Sequence, residues 1–130
     1  MRVTDASALV PAIVGNTLEA RSLRARLDDE ALAAPHLVDL EVLNALRRHV
    51  RRGRLASADA ELAMRRVQRF AIKLYAHGPL LARSWQLRET VTPYDAAYVA
   101  LAEALGVPLL TADARLANAP SIRCEVELLT

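Results

Sequence analysis

Cysteine and long apolar runs are scarce in this chain of 130 residues. Its one cysteine, Cys124, excludes an internal disulfide, and no cysteine or histidine cluster has the spacing of a zinc site. We therefore expect a reducing compartment, the cytoplasm. The longest apolar stretch near the start, residues 6–15, contains Pro11 and is too short to cross a bilayer, so we expect neither a signal peptide nor a membrane span.

Lysine is nearly absent, since sixteen of the seventeen basic residues are arginine. The formal net charge is only +2, but the arginines cluster within residues 47–54 and 65–69. A guanidinium fork suits phosphate, which is compatible with a nucleic-acid partner. The candidates for phosphate contacts are Arg47, Arg48, Arg51 and Arg52. A solvated helix face in an arginine-rich protein explains the same clusters, and both interpretations stay open.

Internal repeats, low-complexity segments and linkers are also absent. The chain is 53% hydrophobic and 25% charged, which is typical of a globular protein. A chain of this length buries roughly two thirds of the surface that it exposes when unfolded. We therefore expect one domain over residues 1–130, built around one core.

Short runs rich in valine, isoleucine and leucine alternate with longer stretches of helical period. This alternation predicts an α/β fold in which helices join parallel strands. The strands are predicted at residues 2–5, 31–34, 71–76, 107–111 and 123–128. The helices are predicted at residues 6–14, 17–29, 37–52, 57–69, 79–88 and 94–105, and a single turn at 114–118.

Four details of these helices are specific enough to test. Ser57 is expected to cap the helix that follows it. Trp85 is expected in the core rather than on a binding surface. The helix over residues 94–105 is apolar almost all round, so we expect it to be buried and to end at Gly106. In residues 37–52, helical spacing predicts an apolar stripe of Leu37, Val38, Leu40, Leu43, Leu46 and Val50.

Four acidic residues occupy positions where ligands bind in α/β proteins. Asp5 ends the first predicted strand and Asp113 ends the fourth, and the carboxyl ends of parallel strands form the usual binding edge. Glu41 lies one turn inside a helix, apart from its main apolar stripe. Asp95 lies in the first turn of the apolar helix, where a carboxylate needs an explanation.

Each of these acidic residues also has a purely structural interpretation. Asp5 and Asp113 can cap the short helices that follow them, and Asp95 can form a capping box with the preceding threonine. Glu41 can be an exposed residue that pairs with Arg48. Four independent coincidences are harder to accept than one shared site, which is the interpretation we prefer.

The order and spacing of these strings, over the whole chain, resemble the PIN-domain nucleases and, within them, the VapC-like toxins. Each string alone is short and weakly specific, but the order of the strings along the whole chain is specific. The matching strings are Asp5-Ala6-Ser7 after the first strand, Glu41-x-x-Asn44-x-Leu46 on a helix, Asp95 at a helix start, and Thr111-x-Asp113 at a strand end.

The resemblance implies a fold, a cofactor and partners. The fold is an α/β/α sandwich with a parallel, roughly five-stranded sheet. The cofactor is Mg²⁺ or Mn²⁺, and the activity is cleavage of RNA that leaves a 5′-phosphate and a 3′-hydroxyl. The partners are a cognate antitoxin protein and a second copy of the chain, with the helices after Ser57 or Pro79 as candidate dimer surfaces.

Roles for single residues also follow from the resemblance. Mg²⁺ prefers oxygen ligands and keeps several waters, so four carboxylates suit it. The metal-binding and catalytic residues are Asp5, Glu41, Asp95 and Asp113. The supporting residues are Ser7, Asn44 and Thr111.

Alternative functions make different demands on the sequence. A phosphoacceptor receiver domain needs a lysine after its last strand, but the only lysine, Lys73, lies in a predicted strand. An aspartyl phosphatase needs Asp-x-Asp after the first strand, where this chain has Ser7 in the second position. The histidines have no mutual spacing that makes a site. A PIN-like scaffold that binds a protein or RNA without turnover stays open as the alternative.

Overall fold

Five parallel strands form one sheet in the computed structural model, which describes residues 1–129. The order across the sheet is β3-β2-β1-β4-β5, and each neighbouring pair is parallel. The strands are β1 (Arg2–Thr4), β2 (Leu32–Pro35), β3 (Ile72–Tyr75), β4 (Leu109–Thr111) and β5 (Val126–Leu128).

Seven α-helices within residues 1–129 connect and flank these strands. They are α1 (Ala6–Ile13), α2 (Leu18–Asp28), α3 (Val38–Arg51), α4 (Ser57–Arg69), α5 (Leu81–Gln86), α6 (Pro93–Leu105) and α7 (Ala114–Ala117), with a 3₁₀ turn at Gly78–Leu80 before α5. α1 contacts α2, α3 and α4, while α5 packs on α6, so the helices form two groups around the sheet. The predicted parallel five-stranded α/β/α fold is confirmed.

The core explains why these segments adopt this arrangement. All four residues of β2 are buried, and Val3 of β1 and Leu110 of β4 are fully enclosed. α6 lies across β1 and β2 and is buried along its length from Ala96 to Ala102, as its all-round apolar sequence predicts. It ends at Gly106, whose φ of 65° is the left-handed conformation that favours glycine. Among residues 1–129, no helix has the length and apolar character needed to cross a membrane.

Trp85 lies on the surface, so the prediction that it belongs to the core is wrong. Its side chain is 68% exposed and stacks under the guanidinium of Arg88, 4.4 Å from the ring centre. The buried residues in this segment are Leu80, Ser84 and Leu87, spaced four and three residues apart on one helix face. Trp85 follows Ser84 by one position, about 100° round the helix, and therefore points away from the core.

The predicted apolar stripe of α3 is also partly wrong, because two of its members face solvent. Leu40 is 70% exposed and Leu43 is exposed as well, whereas the buried face consists of Val38, Val42, Ala45 and Leu46. The sequence offers apolar residues on two faces of this helix, and only one face reaches the core. Ser57 is likewise not a cap: Ala56 occupies the N-cap of α4 without a side-chain hydrogen bond, and Ser57 is the first helical residue.

Candidate active site

A cavity of about 350 Å³ opens beyond the carboxyl ends of β1 and β4. These two strands are neighbours at the point where the order of the sheet reverses, because β2 and β3 extend it on one side and β5 on the other. Such switch points are where open parallel sheets bind ligands. The polar residues that line the cavity are Asp5, Ser7, Glu41, Asn44, Arg48, His49, Asp95, Tyr98 and Asp113. The structure therefore brings the four acidic residues singled out from the sequence to one cavity.

Asp5 is the most tightly held of these carboxylates. Only 7% of the residue is exposed, and it follows β1 as the N-cap of α1. Its Oδ1 accepts hydrogen bonds from the Ser7 hydroxyl at 2.6 Å and from the Ala8 N–H at 3.1 Å. Its Oδ2 accepts from the Thr111 hydroxyl at 2.5 Å, across to the end of β4. The two supporting hydroxyls predicted from the sequence thus fix both oxygens of one carboxylate.

Each of these hydroxyls has one proton, and each uses it to donate a hydrogen bond to Asp5. The Oγ atoms of Ser7 and Thr111 lie 3.2 Å apart, but no proton remains for a bond between them while each donates to Asp5. The hydroxyl oxygens instead accept from the backbone. Ser7 accepts from the N–H of Ala112 at 2.9 Å, and Thr111 accepts from the N–H of Asp113 at 3.1 Å. This network connects α1 to the loop after β4. It thereby holds the carboxyl ends of β1 and β4 at a fixed distance from each other.

Glu41 reaches the cavity from α3 and is held from the opposite side by α6. Its Oε1 accepts a hydrogen bond from the hydroxyl of Tyr98, which is almost completely buried. The side-chain partner of Glu41 is therefore Tyr98, and the structural alternative of a pair with Arg48 is not what the structure shows. Asn44, one turn further along α3, lines the same cavity.

Asp95 and Asp113 lie at helix starts, as the capping interpretations predict. The Thr92 hydroxyl caps α6 by accepting from the N–H of Asp95 at 3.2 Å. Asp113 caps α7, where its Oδ1 accepts from the N–H of Arg115 at 2.9 Å. The Arg115 guanidinium, which is largely exposed, lies 3.4 Å from the Oδ2 of Asp113. Both aspartates also line the cavity, so capping and a shared site are compatible.

Three of the four carboxyls have raised pKa values. Burial raises the pKa of Asp5, although neighbouring hydrogen-bond donors act against it. Burial also raises the pKa of Glu41, and the charges of Asp95 and Asp5 add to this shift. The pKa of Asp95 rises through burial and through the charges of Asp113 and Asp5. The four carboxyls are therefore close enough to repel one another.

Asp113 differs from the other three carboxyls in its electrostatic environment. Burial acts to raise its pKa, but hydrogen bonds from Arg115 and the positive charge of that guanidinium outweigh burial. The pKa of Asp113 therefore lies below its ordinary value, and this carboxylate is charged over the widest pH range of the four.

The donor set suits a hard divalent cation. Carboxylate oxygens are the ligands that Mg²⁺ prefers, and a cation offsets both the burial of charge and the repulsion that raise three of the pKa values. Within residues 1–129, no three Asp, Glu, His or Cys side chains are placed to hold an ion jointly as they stand. Mg²⁺ usually binds through one or two carboxylates and keeps several waters, for which a cavity of about 350 Å³ has room. The residues present thus fit such an ion.

The four arginines that were predicted to contact phosphate do not all lie at the cavity. Arg48 lines the cavity, on the same face of α3 as Glu41 and Asn44. Arg47, Arg51 and Arg52 are exposed but are not part of the cavity wall. The four arginines consequently do not form one surface around the acidic residues.

Two residues of the cavity were missed by reasoning from the sequence. Tyr98 follows Asp95 by three positions on α6, a spacing that places both side chains on one helix face, but the tyrosine reads as an ordinary core residue in an apolar helix. His49 lies two turns after Glu41 on α3 and lines the cavity, although the spacing of the histidines gave no sign of a site. Helical spacing from a recognised acidic residue is the signal that would have found both.

Comparison with known proteins agrees with this architecture. A model of the PIN domain matches residues 2–121. Ribonuclease VapC1 of Mycobacterium tuberculosis is 46% identical over 128 residues, which cover 98% of this chain and 96% of the relative. Ribonuclease VapC9 of the same organism is 42% identical over 129 residues, covering 99% of this chain and 98% of the relative.

A solved structure shows the same fold. The crystal structure of PAE2754 from Pyrobaculum aerophilum superposes with a TM-score of 0.73 at 27% identity, covering 96% of this chain and 81% of that chain. A family model that spans most of the chain, full-length relatives and a shared fold all point to one assignment. The chain belongs to the PIN-domain family, in its VapC-like branch.

Proposed function

We propose that this protein is a metal-dependent endoribonuclease and the toxin of a type II toxin–antitoxin pair. The observation that carries the proposal is the convergence of Asp5, Glu41, Asp95 and Asp113 on one cavity at the switch point of the sheet. The relatives VapC1 and VapC9 are named ribonucleases, which supports an RNA substrate. We also propose that residues 1–130 form one nuclease domain that works in the cytoplasm.

The four carboxylates would hold Mg²⁺ or Mn²⁺, directly or through water, and we propose them as the catalytic residues. A bound divalent ion supplies charge neutralisation at a phosphodiester and makes a water more acidic. Ser7 and Thr111 keep both oxygens of Asp5 in place, and Asn44 offers an amide at the cavity wall. The chain needs no nucleophilic side chain of its own.

Arg48 is the residue that we propose as a phosphate contact at the cavity. Arg48 lines the same cavity as the acidic residues, so we expect one phosphate of an RNA strand to pair with its guanidinium while the next faces the carboxylates. For Arg47, Arg51 and Arg52, contacts to flanking phosphates stay a prediction.

Two protein partners complete the proposal. We expect a cognate antitoxin that covers the acidic cavity with a basic side chain, and we expect expression of the protein alone to arrest growth. We also expect a homodimer. Its proposed surface is the apolar face, defined here as Leu81, Trp85 and Tyr94, whose large side chains are all exposed.

Cleavage of RNA in the presence and absence of divalent ions tests the proposal. We expect purified protein to cut single-stranded or loop RNA with Mg²⁺ or Mn²⁺ and to leave 5′-phosphate ends that accept ligation. Cleavage should stop in EDTA. Asp5→Asn should abolish the product without unfolding the protein. Asp59→Asn, which removes an exposed carboxylate at the start of α4, is the matched control and should leave cleavage intact.

The same assay separates an enzyme from a scaffold. A PIN-like scaffold should bind RNA or a partner protein without any metal-dependent product. Cleavage that continues undiminished in EDTA, or that Asp5→Asn does not reduce, would contradict the proposed function.

A further inference from the structure

The Tyr98 hydroxyl is a polar group of the cavity to which the proposed function gives no role. The residue is 1% exposed and its ring belongs to the hydrophobic core, but its hydroxyl reaches the cavity wall. There it donates a hydrogen bond to the Oε1 of Glu41. A residue of α6 thereby holds a side chain of α3 across the cavity.

The four carboxylates are restrained to different degrees. Asp5 accepts three hydrogen bonds from side chains and backbone, and Asp113 accepts from the backbone and guanidinium of Arg115. Glu41 has one more rotatable bond than an aspartate and is exposed to the cavity on one side. Within residues 1–129 its side chain has a single hydrogen-bond partner, Tyr98. Loss of that bond would leave Glu41 with several accessible rotamers.

We propose that Tyr98 is a positioning residue that fixes the carboxylate of Glu41 for a divalent cation. The bond to Oε1 leaves Oε2 as the oxygen free to face a cation. Donors behind a ligand orient it, and their loss typically costs about 10–100-fold in metal affinity. This inference rests on the proposed function, because it assumes that Glu41 contributes to a cation site.

A purely structural role for the hydroxyl has different consequences. A buried tyrosine usually finds a hydrogen-bond partner, and Glu41 could serve only that need. In that case the loss of the hydroxyl would change the stability of the protein but not its affinity for a cation. A double-mutant cycle between the two residues distinguishes these roles, since a positioning residue acts through its partner.

The test is a calorimetric titration with Mn²⁺ of wild type, Tyr98→Phe, Glu41→Ala and the double variant. We expect Tyr98→Phe to bind Mn²⁺ about 10-fold more weakly than wild type. In the Glu41→Ala background, the same substitution should change the affinity by less than twofold. Tyr75→Phe is the matched control, because it removes a tyrosine hydroxyl on β3, outside the cavity, and should leave the affinity unchanged.

A second measurement needs no change at Tyr98. In the NMR spectrum of wild-type protein with ¹³C-labelled tyrosine, Mg²⁺ should shift the Cζ signal of Tyr98 and leave the signals of Tyr75 and Tyr94 in place. The variants Tyr75→Phe and Tyr94→Phe each lack one signal and thereby assign the three tyrosines. Equal affinities of wild type and Tyr98→Phe, an equal loss in both backgrounds, or an unmoved Tyr98 signal would overturn the inference alone. A wild type that binds no Mn²⁺ would overturn the proposed function with it.

Discussion

Asp5, Asp95 and Asp113 each stand at the beginning of a helix and at the wall of one cavity. The N-terminus of a helix favours a negative charge, whereas burial and neighbouring carboxylates disfavour it. The raised pKa values of Asp5 and Asp95 show that burial and repulsion are the larger effects at these two residues. Asp5 and Asp113 can therefore serve both as a helix cap and as a cation ligand. At Asp95, where Thr92 supplies the cap, stability measurements can separate support of the helix start from cation binding.

Replacement of Asp95 by asparagine should change stability in opposite directions with and without metal. Two charges about 5 Å apart repel by about 3 kcal/mol at an effective dielectric near 20, so removing one should stabilise the metal-free protein. A net gain of about 1 kcal/mol raises the melting temperature by roughly 3–5 °C for a domain of this size. In excess Mg²⁺ the order should reverse, because wild type gains binding free energy that the variant largely forfeits.

Melting curves in EDTA and in excess Mg²⁺ check this prediction for both proteins. Asp59→Asn is the control, since it removes a first-turn charge from α4 outside the cavity and should cost about 0.3–1 kcal/mol in both buffers. An Asp95→Asn protein that melts lower than wild type in both buffers, and still cuts RNA, would show that Asp95 is only part of a helix start.

The same substitution should have a pH-dependent effect in EDTA. A carboxyl whose pKa is raised on folding binds more protons in the folded state than in the unfolded state, so the stability that it confers falls as pH rises. The penalty is absent below the ordinary pKa of about 4 and is complete above the folded-state pKa. The stability advantage of Asp95→Asn should therefore grow from about pH 4 toward neutrality, as urea unfolding at several pH values would measure. A constant or shrinking difference would refute the raised pKa.

α3 carries both the acidic and the basic side of the cavity. Glu41, Asn44 and Arg48 follow one another at helical spacing and line the cavity, while Val38, Val42 and Leu46 face the core. One amphipathic helix thus places a carboxylate, an amide and a guanidinium along the cavity, separated by the spacing of its turns.

Substitution of Arg48 by glutamine should weaken RNA binding and reduce its dependence on salt. Loss of one phosphate contact lowers the slope of log K against log salt by about 0.7 for a single strand. Binding is best measured in an Asp5→Asn background, where cleavage does not interfere. Arg21→Gln on the exposed face of α2 is the matched control and should leave the slope unchanged. An unchanged slope for Arg48→Gln would mean that its charge is only solvated.

The elements differ in how well the sequence predicts them. α6 and the alternation of strands and helices follow from periodicity, and the end of α6 follows from Gly106; these predictions are confirmed. The exposed positions of Leu40 and Trp85 could not be predicted, because an apolar residue on a helix does not specify which face meets the sheet. That choice depends on tertiary packing rather than on local pattern.

The candidate site, like the fold, could be predicted from the sequence only in part. Strand ends and helix starts predict that Asp5, Asp95 and Asp113 converge, because parallel strands place their carboxyl ends at one edge. Helical spacing from Asp95 could have placed Tyr98 at the cavity, but its hydrogen bond to Glu41 could not be predicted, since that bond joins α3 and α6 over 57 residues of sequence. The functions of the site residues themselves stay predictions.

At the scale of the whole molecule, the cavity forms only when distant parts of the chain pair. The bond from Thr111 to Asp5 spans 106 residues and lies where β1 and β4 meet in the sheet. The cavity is lined by residues of α1, α3 and α6 and of the loop after β4. α1 and α3 belong to one group of helices and α6 to the other. On the same molecule, Tyr94 in the apolar face precedes Asp95 in the cavity, so the two surfaces meet at the start of α6.

The last prediction concerns the homodimer and its surface. Leu81 and Tyr94 of the apolar face line a mostly apolar cavity of about 190 Å³, and Trp85 lies one turn after Leu81 on α5. Large exposed apolar side chains of this kind commonly mark interfaces. A buried aspartate in such an interface is strongly unfavourable, so Trp85→Asp should convert a dimer to a monomer. Met64→Asp places the same charge on α4, the other candidate surface, and is the matched control.

Sedimentation velocity over a range of concentrations measures the outcome, with melting curves to confirm that both variants remain folded. We expect wild type and Met64→Asp to sediment as dimers and Trp85→Asp as a monomer. The reason is that Leu81, Trp85 and Tyr94 are each more than half exposed, whereas Leu62 and Met64 on α4 are only 37% and 38% exposed. A monomeric Met64→Asp beside a dimeric Trp85→Asp would place the interface on α4. A monomeric wild type at every concentration would refute the dimer, and Leu81, Trp85 and Tyr94 would then need another partner to cover them.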